Sequence, residues 1–358
     1  MAITQDQFKA IISGRRRDSR ARGTRSLLRV ASLGYGSAVY IRNALYDHHL
    51  LRACRANAVV ICVGNLTTGG TGKTPLVVWL CRFLLERQLR CAILTRGYKT
   101  HSGELSDEPA LLAVECPDVP VIVNPDRVAG AAEAIRSHGA QVLIMDDGFQ
   151  HRRLARDLDI VTIDATRPFG YGKLLPAGLL REPVAGLSRA HAVVLTRCDH
   201  VPDDALQRIE EAVQKINDEL VIVRSIHAPV GIETDQGAEI DLDAIKGKKV
   251  FAFCGLGNPQ AFFRTLESVG AVLVGSRTFD DHYGYTKQDL SDIRRQAGER
   301  QAGLVLTTHK DWTKITRLAV PADRPPLAYL AVELQIMAGA VPLTALIDRV
   351  LGGTMTHL

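Results

Sequence analysis

No two of the seven cysteines (Cys54, Cys62, Cys81, Cys91, Cys116, Cys198 and Cys254) stand in a C-x-x-C pair. A zinc site built on that spacing is not expected, and most of the seven lie in apolar runs. They read as buried free thiols of a reducing compartment. No apolar run is long enough to cross a bilayer. The nearest candidate, Leu27–Leu45, is interrupted by Arg29 and Arg42, which leave twelve uncharged residues between them. Excess charge is also missing from the body of the chain. Between Arg15 and Arg29 there are seven arginines and one acid, Asp18, a local +6 against a whole-chain total of +5. A basic face for nucleic acid is therefore not supported. Internal repeats and low-complexity tracts are absent as well.

What is present is a globular composition, 46% apolar and 23% charged, over 358 residues, enough for two domains. In Leu27–Leu45 the residues Leu27, Ala31, Tyr35, Ala38, Ile41 and Leu45 fall at three- and four-residue spacing, which predicts an amphipathic helix. Arginines beside such a face suit an anionic membrane surface. The same pattern fits a helix packed on a domain core behind a basic tail, and the acid-poor stretch 9–32 also fits a targeting presequence.

After Val59 short apolar runs alternate with longer amphipathic ones. Strands are expected at Val59–Val63, Cys91–Leu94, Val119–Val123, Val142–Met145, Ile160–Ile163 and Val193–Leu195, with helices at Thr74–Arg87, Arg127–His138 and Asp203–Asn217. A second set follows: strands Lys249–Cys254, Ala271–Thr278, Leu304–Thr307 and Leu327–Ala331, with helices Pro259–Val269 and Lys287–Glu299. Such alternation predicts an α/β fold with a mostly parallel sheet covered on both faces. The expected division is a basic tail and membrane-associating helix at 1–50, a P-loop domain at 51–228, a smaller α/β domain at 229–340, and a C-terminal helix and tail at 341–358. The polar stretch 228–246 marks the boundary.

The densest chemical signal is Val59–Pro75, VVICVGNLTTGGTGKTP. A strand runs into glycines and then into a helix start. Gly69, Gly70 and Gly72 permit backbone angles that let N–H groups converge on phosphate oxygens, and the helix N-terminus favours the same anion. Lys73 would reach the β- and γ-phosphates, and Thr74 would place its hydroxyl on Mg²⁺. Thr67 stands where the G-x-x-x-x-G-K-[ST] pattern begins with glycine. Pro75 fits the first helical turn.

Acids follow at useful places. The run Val142–Met145 ends in Asp146-Asp147-Gly148-Phe149-Gln150-His151, and acids at the C-terminal end of a parallel strand face the ligand crevice. One or both of Asp146 and Asp147 would hold magnesium. Asp107-Glu108-Pro109 reads by itself as a helix N-terminus. His282, in Phe279-Asp280-Asp281-His282-Tyr283, reads by itself as part of a surface turn. Thr196-Arg197-Cys198-Asp199 faintly resembles the N-K-x-D guanine-reading motif, with Thr for Asn and Arg for Lys, and reads as a strand-end turn.

Taken in order, these segments resemble the tetraacyldisaccharide 4′-kinases of lipid A assembly. The carriers are VGNLTTGGTGKTP at 63–75, LTRGY at 94–98, DEPALLA at 107–113, NPDRVAGA at 124–131 and the long block DDGFQHRRLARDLDIVTIDATRPFGYGKLLPAGLLREP at 146–183. FCGLGNPQAFFRTLESVGA at 253–271, FDDHYGYT at 279–286 and LTTHKDW at 306–312 complete the match, which spans about residues 27–335. The loop of that family is similar, including its initial Thr. The resemblance implies a P-loop NTPase-type kinase that transfers the γ-phosphate of ATP to the 4′-hydroxyl of a tetraacyldisaccharide 1-phosphate. It implies that Thr67, Thr68, Gly69, Gly70, Thr71, Gly72, Lys73 and Thr74 hold the triphosphate, and that Thr74, Glu108, Asp146 and Asp147 serve Mg²⁺. Asp107 and His282 would take the proton from the sugar hydroxyl, supported by Asp281, with Lys73 and Asp147 also at the reacting centre. Arg127, Gln150, His151 and Arg181 would line the substrate site.

The glycolipid substrate further implies a peripheral place on the cytoplasmic face of the inner membrane, with no obligate protein partner. One departure is local: Tyr98 and Asp107 are nine positions apart, a shorter loop than in the family, and Ser106 replaces a common glycine. This bears on substrate contacts and on the acyl pattern accepted. The competing class is a nucleotide-switched, membrane-associated ATPase acting on a protein partner, which the block 146–183 does not fit.

Overall fold

The computed structural model describes residues 5–97, 107–234, 238–281, 283–318 and 325–355. In chain order its helices and strands are α1 (Gln5–Ile12), α2 (Ser19–Asp47), β1 (Val59–Asn65), α3 (Lys73–Glu86), β2 (Cys91–Thr95), α4 (Asp107–Glu115), β3 (Val121–Val123), α5 (Arg127–His138), β4 (Val142–Asp146) and β5 (Leu158–Asp164). They continue as β6 (Ala192–Thr196), α6 (Asp203–Gln214), β7 (Val221–Thr234), β8 (Glu239–Ile240), β9 (Lys249–Cys254), α7 (Pro259–Ser268) and β10 (Val272–Thr278). The last are α8 (Lys287–Glu299), β11 (Leu304–Thr308), α9 (His309–Ile315), β12 (Leu327–Ala338) and α10 (Ala340–Met355).

Two compact units result. The first takes Met1–Arg96, Asp118–Ser225 and Ile336–Leu358, and the second takes Gly97–Pro117 and Ile226–Gln335. In the first unit the strands lie in the order β7-β6-β5-β1-β4-β2-β3, and each neighbouring pair is parallel. Every residue of β1, β2, β4, β5 and β6 is buried. That explains their near-continuous apolar runs, because a parallel sheet is covered on both faces. The chain leaves β1 toward β4 and β2 on one side, and reaches β5, β6 and β7 on the other. The C-terminal end of β1 is thus the place where strand order reverses, which is where α/β sheets take ligands.

In the second unit the order is β10-β9-β11-β12, again parallel. The period of two along β9 splits its side chains between two cores. Val250, Ala252 and Cys254 join Ile232, Ile245, Phe262, Phe263 and Leu266. Phe251 and Phe253 join Tyr285, Leu290 and Ile293. β7 runs as far as Thr234, through part of the polar stretch 228–246, and β8 pairs antiparallel with its end through Ile232 and Ile240.

Helix α2 is longer than the apolar segment that predicts it. Asp18 caps it, accepting from the Ala21 N–H. It docks by a face of small and polar residues: Ser32 Oγ donates to the Leu174 carbonyl at 3.0 Å and Tyr35 Oη to the Arg181 carbonyl at 2.7 Å. A Cβ at Gly36 would stand 2.9 Å from Leu174, so the glycine permits the close approach. Leu27, Val30, Leu33, Tyr40 and Ile41 are left exposed. Among the described residues no helix is long and apolar enough to cross a membrane. All seven cysteines are free; six are buried and Cys54 is exposed, as their apolar contexts predict.

Candidate active site

At the end of β1 the chain turns through residues 66–72 and enters α3 at Lys73. Gly69 and Gly72 hold φ of +107° and +85°, left-handed values open to glycine at little cost. A Cβ on Gly69 or Gly70 would meet no protein atom within 4 Å. The bare backbone there faces free space rather than a crowded interior, as a phosphate cradle requires. Thr74 lies in the first turn of α3 and Pro75 just behind it, where a missing N–H costs nothing.

The outer rim of this loop is supplied by the long block 146–183. Thr68 N–H donates to the Leu179 carbonyl at 2.8 Å and Arg181 N–H to the Leu66 carbonyl at 2.7 Å, while Thr67 bridges Leu180. The segment before it is therefore a buttress for the phosphate loop. Tyr35 of α2 binds the same Arg181 carbonyl, which ties the N-terminal helix to this rim.

Asp146 closes β4 and is buried. Asp147 follows with φ of +51°, a left-handed value unusual for a side-chain-bearing residue. That turn brings its carboxylate 3.3 Å from the Lys73 ammonium and into a two-oxygen contact with Arg181 Nη1 at 2.9 and 2.8 Å. Burial raises the Asp147 pKa, but Lys73 and then Arg181 outweigh it, and the carboxyl is held down at about 2. The carboxylate stays ionised and keeps Lys73 at the mouth of the loop.

Arg127, the first residue of α5, is buried and donates to the Asn124 carbonyl at 2.8 Å. Burial lowers its pKa, while Asp146 and Asp147 favour its charge. Gln150 donates to the Asn65 carbonyl at 2.8 Å and to Glu182 at 2.7 Å. Glu182 also accepts from Arg189 at 2.6 Å, so Gln150 braces the start of the loop. His151 loses affinity for a proton, first through burial and then through Arg127.

Glu108 and Asp281 belong to the second unit. Glu108 is in the first turn of α4 and half-buried. Asp281 accepts from Lys310 Nζ at 2.9 Å. Burial works against the Lys310 charge, but Asp281 and then Glu108 outweigh it and its pKa is raised. His309 beside it bonds Glu115 at 2.6 Å and stacks on Tyr329. Asp107 begins α4, but its side chain and the whole of His282 lie outside the described residues.

Several supporting residues escape the sequence reading. Asn65 Nδ2 donates to the Thr71 hydroxyl at 3.0 Å, which is 2.7 Å from the Thr162 hydroxyl. Thr196 Oγ1 donates to the Thr71 carbonyl at 2.9 Å, and Arg197 Nη1 to the Gly70 carbonyl at 3.1 Å. Only the faint N-K-x-D likeness of Thr196-Arg197 signals them. Thr162 is one polar residue in a buried strand, with no motif to mark it.

A parallel sheet, a glycine-rich turn leading into a helix through Lys73-Thr74, and paired acids at the end of the neighbouring strand are the features of a P-loop NTPase-type fold. The model of the family described as LpxK, tetraacyldisaccharide-1-P 4′-kinase, matches residues 24–351. The chain belongs to that family. Relatives named tetraacyldisaccharide 4′-kinase include one from Syntrophus aciditrophicus, 40% identical over 87% of this chain and 89% of the relative. Another, from Anaeromyxobacter dehalogenans, is 38% identical over 89% of this chain and 88% of the relative. The crystal structure of LpxK from Aquifex aeolicus in complex with ATP superposes with a TM-score of 0.70 at 31% identity, covering 92% of this chain and 99% of that one.

Proposed function

We propose that the chain transfers the γ-phosphate of ATP to the 4′-hydroxyl of a tetraacyldisaccharide 1-phosphate, with the loop 67–74 as the triphosphate site. The observation that carries the reading is the Lys73–Asp147–Arg181 cluster at the mouth of a glycine loop, in a chain of this family. Phosphoryl transfer depends mainly on positioning and on neutralising charge. Lys73 and the loop N–H groups do both. Asp147 orients Lys73, and Arg181 adds positive charge beside it for the substrate. Arg127 contributes further positive charge from a buried position, while Gln150 and His151 complete the lining.

Thr74, Asp146, Asp147 and Glu108 offer only oxygen donors, the set that a hard cation such as Mg²⁺ prefers. In the first unit Thr74, in the first turn of α3, and Asp146 and Asp147, at the end of β4, would hold it. When bound, Mg²⁺ would neutralise charge on the phosphate oxygens. Asp107 and His282 act as the base pair that withdraws the proton from the sugar hydroxyl, with Asp281 in support.

The substrate is a lipid, and α2 suits its surroundings. Leu27, Val30, Leu33, Tyr40 and Ile41 are exposed on a helix whose start is densely basic. An apolar stripe with arginines beside it suits a peripheral place on an anionic membrane surface, here the cytoplasmic face of the inner membrane. The test is transfer of ³²P from Mg·ATP to the disaccharide monophosphate in detergent micelles, with the product mass shifted by one phosphate. ATP hydrolysis without a phosphorylated lipid would sink the reading.

A further inference from the structure

The loop's amides are of use to an anion only if they all point the same way, and its carbonyls show how that is achieved. In a trans peptide the carbonyl of one residue and the N–H of the next lie in one plane and point in opposite directions. Whatever holds a carbonyl outward therefore aims the following N–H inward. The Gly69 carbonyl accepts from Asn65 Nδ2 at 3.5 Å, the Gly70 carbonyl from Arg197 Nη1 at 3.1 Å, and the Thr71 carbonyl from Thr196 Oγ1 at 2.9 Å. The Gly70 and Thr71 carbonyls are thus held from behind by two different side chains, and Asn65, whose shorter bond is to the Thr71 hydroxyl at 3.0 Å, makes a longer contact to the third. The N–H groups they orient belong to Gly70, Thr71 and Gly72.

We propose that Arg197, together with Thr196 and Asn65, is a positioning residue for nucleotide binding, holding the phosphate-loop carbonyls outward so that the loop amides are preset for the triphosphate. Arg197 supplies the charged member of the clamp. Its guanidinium is anchored by Asp164, which is itself fixed by the Thr166 N–H at 3.0 Å and hydroxyl at 2.6 Å. The Arg197 backbone holds φ of +57°, a strained choice for a residue with a side chain. Thr196 is wholly buried, and its hydroxyl at the end of β6 lies closer to the Thr71 carbonyl, at 2.9 Å, than to the Ile163 carbonyl, at 3.5 Å. Glycines leave the loop free to adopt many shapes, and the clamp removes that freedom before ligand arrives. The inference rests on the loop 67–74 being the ATP site.

The experiment compares Arg197→Met, Arg197→Lys, Thr196→Val and Lys73→Ala in the full chain. Affinity for Mg·ATP is measured by calorimetry, KM is measured separately for ATP and for the disaccharide, and each variant is melted without nucleotide. Loss of one charge-assisted hydrogen bond to the loop is expected to weaken ATP binding and raise its KM on the order of ten-fold in Arg197→Met. The KM for the disaccharide stays where it was. Arg197→Lys recovers most of the loss, since an ammonium can donate to the same carbonyl. Thr196→Val, nearly isosteric, moves ATP binding in the same direction and keeps the test open if Arg197→Met fails to fold. Unchanged ATP affinity in Thr196→Val and in the folded Arg197 variant overturns the proposal, whatever the melting temperatures do. If Lys73→Ala loses ATP affinity while those variants keep it, the clamp alone is wrong. If Lys73→Ala keeps it too, the assignment of the loop falls and the clamp with it.

Discussion

Asp147 is the residue on which the charge balance of the site turns. Lys73 and Arg181 both face its carboxylate, and a carboxyl whose folded pKa is about 2, below the ordinary value of 3.8, favours the folded state when ionised. That contribution is fully present above pH 4 and is lost as pH falls toward 2. Denaturant unfolding of wild type and Asp147→Asn across this range should show a stability gap at pH 5 that narrows as pH falls. A gap that does not depend on pH would mean the cations are not its source. Removing Lys73 deletes the ammonium at the start of α3 beside the loop, and Lys73→Ala is expected to lower kcat/KM at least a hundred-fold. For the proposed base pair, His282→Ala and Asp107→Asn should each lower kcat by about 10²–10⁴, measured as ³²P in lipid. Full activity in either variant would remove that residue from the mechanism. Lys73 was legible in the sequence because its motif is local and dense. Arg197 was not, because its partner Gly70 is 127 positions away.

Among the elements, α2 carries two different faces. Ser32, Tyr35 and Gly36 seat it on the rim of the phosphate loop, while Leu27, Val30 and Leu33 face outward. Truncation before residue 46 would also strip the Tyr35 bond from Arg181, so surface variants are the cleaner probe. Replacing Leu27, Val30 and Leu33 together by Ser should reduce sedimentation with anionic vesicles several-fold while leaving the melting temperature nearly unchanged. Vesicle binding equal to wild type would show that this stripe is not the contact. The helix itself was legible from its spacing, but its orientation was not: of the expected apolar face Tyr35 docks while Leu27 and Ile41 are exposed, and the buried side chains are Ala21 and Val39. Strands β1, β4 and β5 were legible because burial on both faces demands continuous apolar runs. By contrast, β7 opens on the apolar run Leu220–Val223 but is mostly half-buried and mixed in character beyond it, and its length was not legible. Residues 170–181 have neither period, since their role is to pair with loop residues 66–68. Only family resemblance marked them.

For the whole molecule, charge is segregated. The N-terminal basic segment carries +6, and the rest of the chain is nearly neutral. Attachment to a membrane should therefore need anionic lipid and weaken steeply as salt rises, because screening acts over about 8–10 Å at 0.1–0.15 M. Flotation assays from 50 to 500 mM salt, with and without phosphatidylglycerol, check this; binding indifferent to both would exclude an electrostatic contribution. Nucleotide should also stabilise the native chain by about 2.7 kcal/mol at a hundred times its dissociation constant. The shift in melting should vanish in Lys73→Ala. The mostly parallel sheet was foreseeable from alternation alone, whereas its strand order and the assembly of the second unit from Gly97–Pro117 and Ile226–Gln335 were not. Such a long-range return leaves no trace in local pattern.

Six thiols out of reach and one in the open make this chain a natural candidate for single-site labelling. A maleimide dye should enter Cys54 alone while the fold is intact, with no engineered substitution. Cys54 follows α2 by only a few residues, and its N–H and carbonyl are pinned to Arg153 and Ala155. A fluorophore there would sit on fixed backbone close in sequence to α2, and quenching by brominated lipid, or its absence, would report whether the unmutated chain touches a bilayer and how deeply.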